Sequence, residues 1–163
     1  RPDNFDDMQR VASEIHIPIA TGERLHTLEE FGMLLARNAC QYIRPDVCLC
    51  GGITQAKKIA AAAEARGVLV VPHNPLSPVS TAACIQLAAS IPNFAIQEYP
   101  LGEDCAPKNE IVKSTLTLDN GYLTVPDSPG IGIELNEQAM HQYPYKPRLY
   151  VTKLREDGSV VDQ

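Results

Sequence analysis

Four short apolar runs recur along this chain with helix-patterned sequence between them, and that alternation leaves few folds open. The runs occupy residues 17–21, 41–44, 68–71 and 94–97, so their starts lie about 24 to 27 residues apart. That period suits βα units of a barrel or a doubly wound sheet, both built on parallel strands. Residues 68–71 carry the clearest strand signal. A continuous run rich in valine, bounded by Gly67 and Pro72, suits a strand covered on both faces.

The intervening stretches read as helices. Met8, Val11, Ala12 and Ile15 recur at helical spacing over residues 6–15. Thr27-Leu28-Glu29-Glu30 is a capping box that opens a helix running through Leu34 and Leu35 to about Asn38. An alanine-rich helix is expected from Thr54 to Arg66, stopped at Gly67, and another over residues 79–90.

Each apolar run is followed by an ionisable residue: Glu23, Asp46, His73 and Glu98. Side chains gathered from the ends of several parallel strands line the mouth of a (β/α)₈ barrel, where ligands bind. Four units make only half of such a barrel, which needs about 250 residues. An open half would leave long edge strands unpaired. Beyond Glu98 the pattern changes. Asp119-Asn120-Gly121 reads as a hairpin turn between residues 115–118 and 122–125. Residues 126–132 form a Pro/Gly-rich connector to a short helix near 136–141, and the proline-rich, then charged tail from Tyr143 reads as a strap over another surface. The expected organisation is therefore βα units over residues 1–105 and an extension over 106–163.

A net charge of −6, with Lys57-Lys58 the only adjacent basic pair in the helical sequence, argues against nucleic-acid binding. No apolar run reaches the roughly 18 residues of a membrane helix, and none at the start resembles a secretory signal. The sequence opens at Arg1 without a methionine, as a processed or partial chain would. The cysteines at 40, 48, 50, 84 and 105 have no CxxC spacing and are expected to be reduced and structural, in a cytoplasmic protein. Cys48 and Cys50 are expected to alternate along a strand with their thiols on one side.

Several ordered motifs resemble one family. They are Ile17-Pro18-Ile19-Ala20-Thr21-Gly22-Glu23-Arg24, Arg44-Pro45-Asp46 with Gly51-Gly52-Ile53-Thr54, Pro72-His73-Asn74-Pro75, and Gln97-Glu98-Tyr99. Together with residues 121–126 and 129–134 they resemble the C-terminal half of the enolase superfamily. The nearest likeness is to the mandelate racemase/muconate lactonizing subgroup and its acid-sugar (galactonate-type) dehydratases. The resemblance implies the C-terminal half of a TIM-type barrel, with the extension packing toward a capping domain.

It also implies a Mg²⁺ site in which Glu23 is the last of three carboxylate ligands, and an Asp46–His73 dyad that moves a proton at the carbon α to a carboxylate. Glu98 would be a protonated acid donating a hydrogen bond to substrate, its pKa raised by burial. Arg24, His26 and Asn74 would meet a small sugar-acid substrate, although Arg24 and His26 read equally well as surface residues. His16 and His141 receive no role.

The activity implied is Mg²⁺-dependent dehydration of a sugar acid to a 2-keto-3-deoxy acid. Racemisation or epimerisation of a 2-hydroxy acid is open to the same dyad. The family's other metal carboxylates, its opposite acid/base group and most of its capping domain have no counterpart here. A non-catalytic fragment that pairs with a complementary half-barrel or with copies of itself therefore stays open beside a homo-oligomer of the complete protein.

Overall fold

The computed structural model describes residues 1–147, 149 and 151–161, apart from the Met140 side chain. Helix α1, Phe5–Glu14, is capped by Asn4, whose side-chain oxygen accepts the Asp7 N–H at 3.2 Å. Asp6 and Asp7 add negative charge where the first turn leaves N–H groups free. No residue of α1 is fully buried; Phe5 and Met8 lean on the core. The chain then alternates strand β1 (Ala20–Thr21), helix α2 (Leu28–Ala36), β2 (Tyr42–Ile43), α3 (Gly52–Glu64), β3 (Leu69–Val70) and α4 (Pro78–Ala89).

The capping box at α2 forms as expected. Thr27 Oγ1 accepts the Glu30 N–H at 3.2 Å and Glu30 Oε2 accepts the Thr27 N–H at 2.9 Å. Gly67, at φ 67°, follows α3 in the left-handed conformation and its N–H returns to the Glu64 carbonyl.

The three strands are parallel and lie in chain order, β1-β2-β3. Each strand sits beside its successor with a helix in the crossover, which is the progression of a barrel and lacks the order reversal of a doubly wound sheet. The strands are shorter than their apolar runs. Pro18 precedes β1, and Pro45 and Pro72 follow β2 and β3. None of the three can donate to a ladder, so regular pairing stops short. The expected strand over residues 94–97 contracts to one parallel bridge between Phe94 and Val70. Phe94 lies at the sheet's outer edge, with β3 as its only neighbour among the described residues.

One face of the sheet meets the helices. Ile43 and Val70 point to that side and are fully buried with Phe31, Leu34, Ile59 and Leu87. On the other face Ala20 and Leu69 are exposed and Tyr42 is half-buried. That open face is where a closed barrel would hold its interior layers.

Past Glu98 the chain is loop-rich. A 3-10 turn spans Lys108–Ile111. Strands β4 (Leu118–Asp119) and β5 (Tyr122–Leu123) form an antiparallel hairpin through Asn120 and Gly121, at φ 48° and 83°. Two positive φ angles in succession mark the type I′ turn. Asp119 pairs with Tyr122 and so belongs to the strand, not to the turn as expected. Helix α5, Ala139–Gln142, is the short helix anticipated near 136–141. The anticipated strap runs partly through positions 148, 150, 162 and 163, outside the described residues. Among the described residues no helix is long and apolar enough to cross a membrane.

Candidate active site

The β2–β3 register builds the centre of the site. Tyr42 pairs with Leu69 and Ile43 with Val70, and beyond both prolines the same offset sets Asp46 opposite His73 in a parallel bridge. The His73 N–H reaches the Pro45 carbonyl at 3.1 Å, keeping the backbones together past the regular ladder. Consequently Asp46 Oδ2 lies 3.0 Å from His73 Nδ1. The Asp46 side chain is 1% exposed, and its Oδ1 accepts the Cys48 N–H at 2.8 Å. A carboxylate can only accept, so the Nδ1 position carries a proton, and in the neutral form of the ring Nε2 is the nitrogen with the lone pair. This is the orienting arrangement of an acid/base histidine.

Nε2 faces the other ionisable groups. Glu23 Oε2 is 3.9 Å from it. Arg44 holds that same oxygen through Nη1 at 2.9 Å, and through Nη2 it holds Glu98 Oε2 at 2.6 Å. The ends of all four apolar runs thus converge on one mouth. Gly22 makes the convergence possible: at φ 120°, a Cβ there would sit 2.7 Å from the Phe31 ring and 3.3 Å from the Arg44 nitrogen. Only glycine lets the loop after β1 cross so close to α2 and β2.

Glu98 differs from its expected form. Partial burial pulls its pKa up, but the Asn74 N–H at 2.7 Å and the Arg44 guanidinium outweigh burial and hold it below the usual glutamate value. In this structure Glu98 is an ion-paired acceptor, not a protonated donor.

Residues 1–139 match the family of enolase C-terminal domain-like proteins. The chain belongs to that family. An enolase from Agrobacterium radiobacter bound to Na and L-malate superposes with a TM-score of 0.87 at 35% identity, covering 98% of this chain and 44% of that one. A mandelate racemase/muconate lactonizing enzyme from Sulfitobacter sp. gives a TM-score of 0.84 at 39% identity, over 90% of this chain and 36% of that one. The D-galactonate dehydratase of Verminephrobacter eiseniae is 35% identical over 78% of this chain and 35% of its own length. A D-galactonate dehydratase family member from Streptomyces bingchenggensis is 33% identical over 98% of this chain. The chain spans between 35% and 39% of the length of these two curated relatives.

Within this enolase C-terminal fold the remaining expected residues divide. Arg24 lies beside Glu23 with its guanidinium 3.8 Å from Asp3. His26 is exposed, and its main-chain N–H serves the start of α2 by donating to Glu30 Oε2 at 2.7 Å. Asn74, expected to meet substrate, turns its side chain into the protein interior. It is fully buried, and its amide protons go to Thr81 Oγ1 at 2.7 Å and the Glu98 carbonyl at 3.1 Å.

The residue that sequence reasoning passed over is Arg44. Its signal was available, since it stands two positions before Asp46 at the end of the same run, within reach of carboxylates on both sides.

The cysteines also divide. All five are free thiols, and Cys40, Cys50 and Cys84 are buried, with burial pushing their pKa values up to about 11, about 11 and about 12. Cys48 and Cys105 are exposed. Cys48 lies in the turn after Asp46 and not on a strand, because Cys50 N–H folds back to the Asp46 carbonyl at 2.8 Å. An apolar groove of about 490 Å³ lies elsewhere, between α4, residues 94–97 and the hairpin. It holds none of the mouth's charged groups.

Proposed function

We propose that this chain carries the acid/base half of a sugar-acid dehydratase of the enolase superfamily. The observation that carries the reading is the dyad: a buried carboxylate holding His73 by Nδ1 at 3.0 Å with Nε2 aimed into a charged mouth. In this reading His73 Nε2 takes the proton α to the substrate carboxylate, or returns one to the departing β-hydroxyl, and the product is a 2-keto-3-deoxy acid. Asp46 holds the ring and balances the charge of the imidazolium once the proton has moved. Relatives named D-galactonate dehydratase support the sugar-acid class. The L-malate on the Agrobacterium enolase, itself a 2-hydroxy acid, supports recognition of a hydroxy-acid carboxylate.

Magnesium enters the proposal only through Glu23. Among the described residues no group of three or more His, Cys, Asp or Glu could hold a metal ion, and Arg44 already engages the Glu23 oxygen. A hard cation that needs six oxygen ligands is not held by these residues alone. Glu23 would supply one ligand, with the others coming from residues other than these. His73 and Asp46 account for where the proton goes; the negative charge left on the substrate carboxylate as the enediolate forms would be neutralised by the cation that Glu23 would help to hold.

The same absence of a ligand cluster, with the open sheet face, favours a second reading in which the chain works only after a complementary half-barrel or a second copy covers that face. The experiment is a dehydration assay on a panel of sugar acids that includes D-galactonate, run with and without Mg²⁺. Formation of a 2-keto-3-deoxy product, reduced about 10²- to 10⁴-fold or more by His73→Asn, is the expected result. Product formation that His73→Asn leaves intact would sink the assignment. No product from any acid would favour the second reading.

A further inference from the structure

Behind the mouth runs a buried chain of hydrogen bonds that neither the dyad nor a metal ligand accounts for. Asn74 grips Glu98 at both ends: its main-chain N–H donates to Glu98 Oε2 at 2.7 Å and its side-chain amide donates to the Glu98 carbonyl at 3.1 Å. The second amide proton goes to Thr81 Oγ1 at 2.7 Å, in the first turns of α4. Thr81 in turn donates its hydroxyl proton to Glu103 Oε2 at 2.6 Å. Asn74, Thr81 and Glu103 are all fully buried. We propose that Thr81 and Glu103 are positioning residues for the site, fixing through Asn74 where the Glu98 carboxylate points and which donors it meets.

The donor directions leave little freedom. Thr81 has one hydroxyl proton, given to Glu103, so the lone pair it offers Asn74 is oriented by that bond. Turning the Asn74 amide over would set its oxygen against the Glu98 carbonyl and the Thr81 lone pairs, so the amide has one favourable orientation. With that amide fixed, the main-chain N–H of the same residue is aimed at Glu98.

Glu103 is an expensive way to fill space. Its Oε1 is buried without a hydrogen-bond partner, and a hydrocarbon side chain of similar volume would pack there without that penalty. The groups that face it are Thr81 from α4, Lys108 from the 3-10 turn, and Tyr99 just upstream. Burial pushes its carboxyl up, against the pull of the Thr81 hydroxyl and the Lys108 charge. Glu98 is faced by Arg44 from the segment after β2 and by His73 and Asn74 from the segment after β3. A costly carboxyl whose one bond orients a relay to the mouth is better explained by organisation than by packing.

The inference rests on the proposed function only in taking this mouth as the site. Its test uses no substrate, so a protein inactive on every sugar acid leaves the outcome readable. The measurement is NMR of the Asn74 amide and of the Glu98 carboxyl through a pH titration, in the unmodified protein and in Thr81→Val, Thr81→Ser and Glu103→Leu. In the unmodified protein the Asn74 amide proton should be shifted downfield and should move as Glu98 titrates. Thr81→Val should abolish that signature and make Glu98 titrate at a higher pH, and Thr81→Ser should restore both. Glu103→Leu should also lose the signature even though its melting temperature is unchanged or raised, which a purely structural role would not produce. If Thr81→Val fails to fold, Glu103→Leu alone decides. Unmodified Asn74 and Glu98 behaviour in either folded variant would overturn the proposal.

Discussion

The two parts of the chain on either side of residue 105 keep their apolar side chains in opposite places. The core cluster runs from Phe5 to Phe94 and includes Phe31, Leu34, Ile43, Ile59 and Val70 at 0% exposure. After residue 105, Val112 and Ala139 are the only buried apolar residues among those described, and Tyr122, Tyr145, Leu149 and Val151 stand in solvent. The first part has helices to pack on a sheet, so each buried side chain excludes water on several sides. The second is held mainly by hairpin, bridge and surface polar contacts: Val112 with Leu135, Leu154 with Val160, and Lys113 with Glu134 at 2.6 Å. Burial of the core should therefore dominate stability, while the extension follows the fold without specifying it.

The comparison is most exposed to failure at Phe31, whose ring closes the core beneath Gly22. Phe31→Ala should cost about 3–5 kcal/mol, read from denaturant unfolding. A loss below about 1 kcal/mol would mean that the core does not carry the fold. The reverse change of volume should act at Gly22. Gly22→Ala places a Cβ 2.7 Å from the same ring in a backbone conformation with φ 120°, and should cost about 1–3 kcal/mol. It should also disturb the Arg44–Glu23 contact, because Arg44 N lies 3.3 Å from the new atom. A variant as stable as the original would show that the loop moves aside freely.

How much of this was legible beforehand follows from which interactions are local. The capping box at Thr27, the stop at Gly67 and the Asn120-Gly121 turn are set by neighbours in sequence and fell within a residue or two of their expected places. The dyad was legible because β2 and β3 share one register, so that Asp46 and His73 each stand at the same distance past an apolar run. Strand lengths were not, because prolines ended the ladders and the edge at Phe94 has a single partner. The state of Glu98 and the burial of Asn74 were hidden for a related reason. Both depend on residues from three or four elements, Arg44, Thr81 and Glu103 among them, that no local pattern connects.

Within the first part, charge at the mouth should contribute less than the core. Because the folded pKa of Glu98 is lowered, the unfolded chain binds more protons as pH falls. The contribution is thus fully present above the ordinary glutamate value of about 4.3 and is lost as pH drops through the folded value. Arg44→Met removes one of the three groups, Asn74, Arg44 and His73, that lower it. The rise of stability with pH across that acid window should become shallower, with little change in slope above it. Glu98 is 35% exposed, so solvent screens the pair and the effect stays small. Unfolding midpoints measured at a series of acid pH values would test this, and identical slopes in the two proteins would mean that the ion pair does not influence Glu98.

The smallest effect is expected in the extension, and it is the sharpest check on the comparison. Tyr122 is 80% exposed on β5, next to a turn whose geometry is set by Asn120 and Gly121 rather than by its side chain. Tyr122→Ala should change stability by no more than about 0.5 kcal/mol, a shift in melting temperature of about 2 °C or less for a chain of this size. Its ring also lines the apolar groove with Phe94 and Ile85, so the same substitution asks what that groove does in solution. If the groove stays open to water, truncation removes only solvated surface and the shift is near zero. A loss of several degrees that grows with protein concentration would instead mean that the hairpin is buried against a second copy. The extension would then share the packing that the isolated chain assigns to the first part alone.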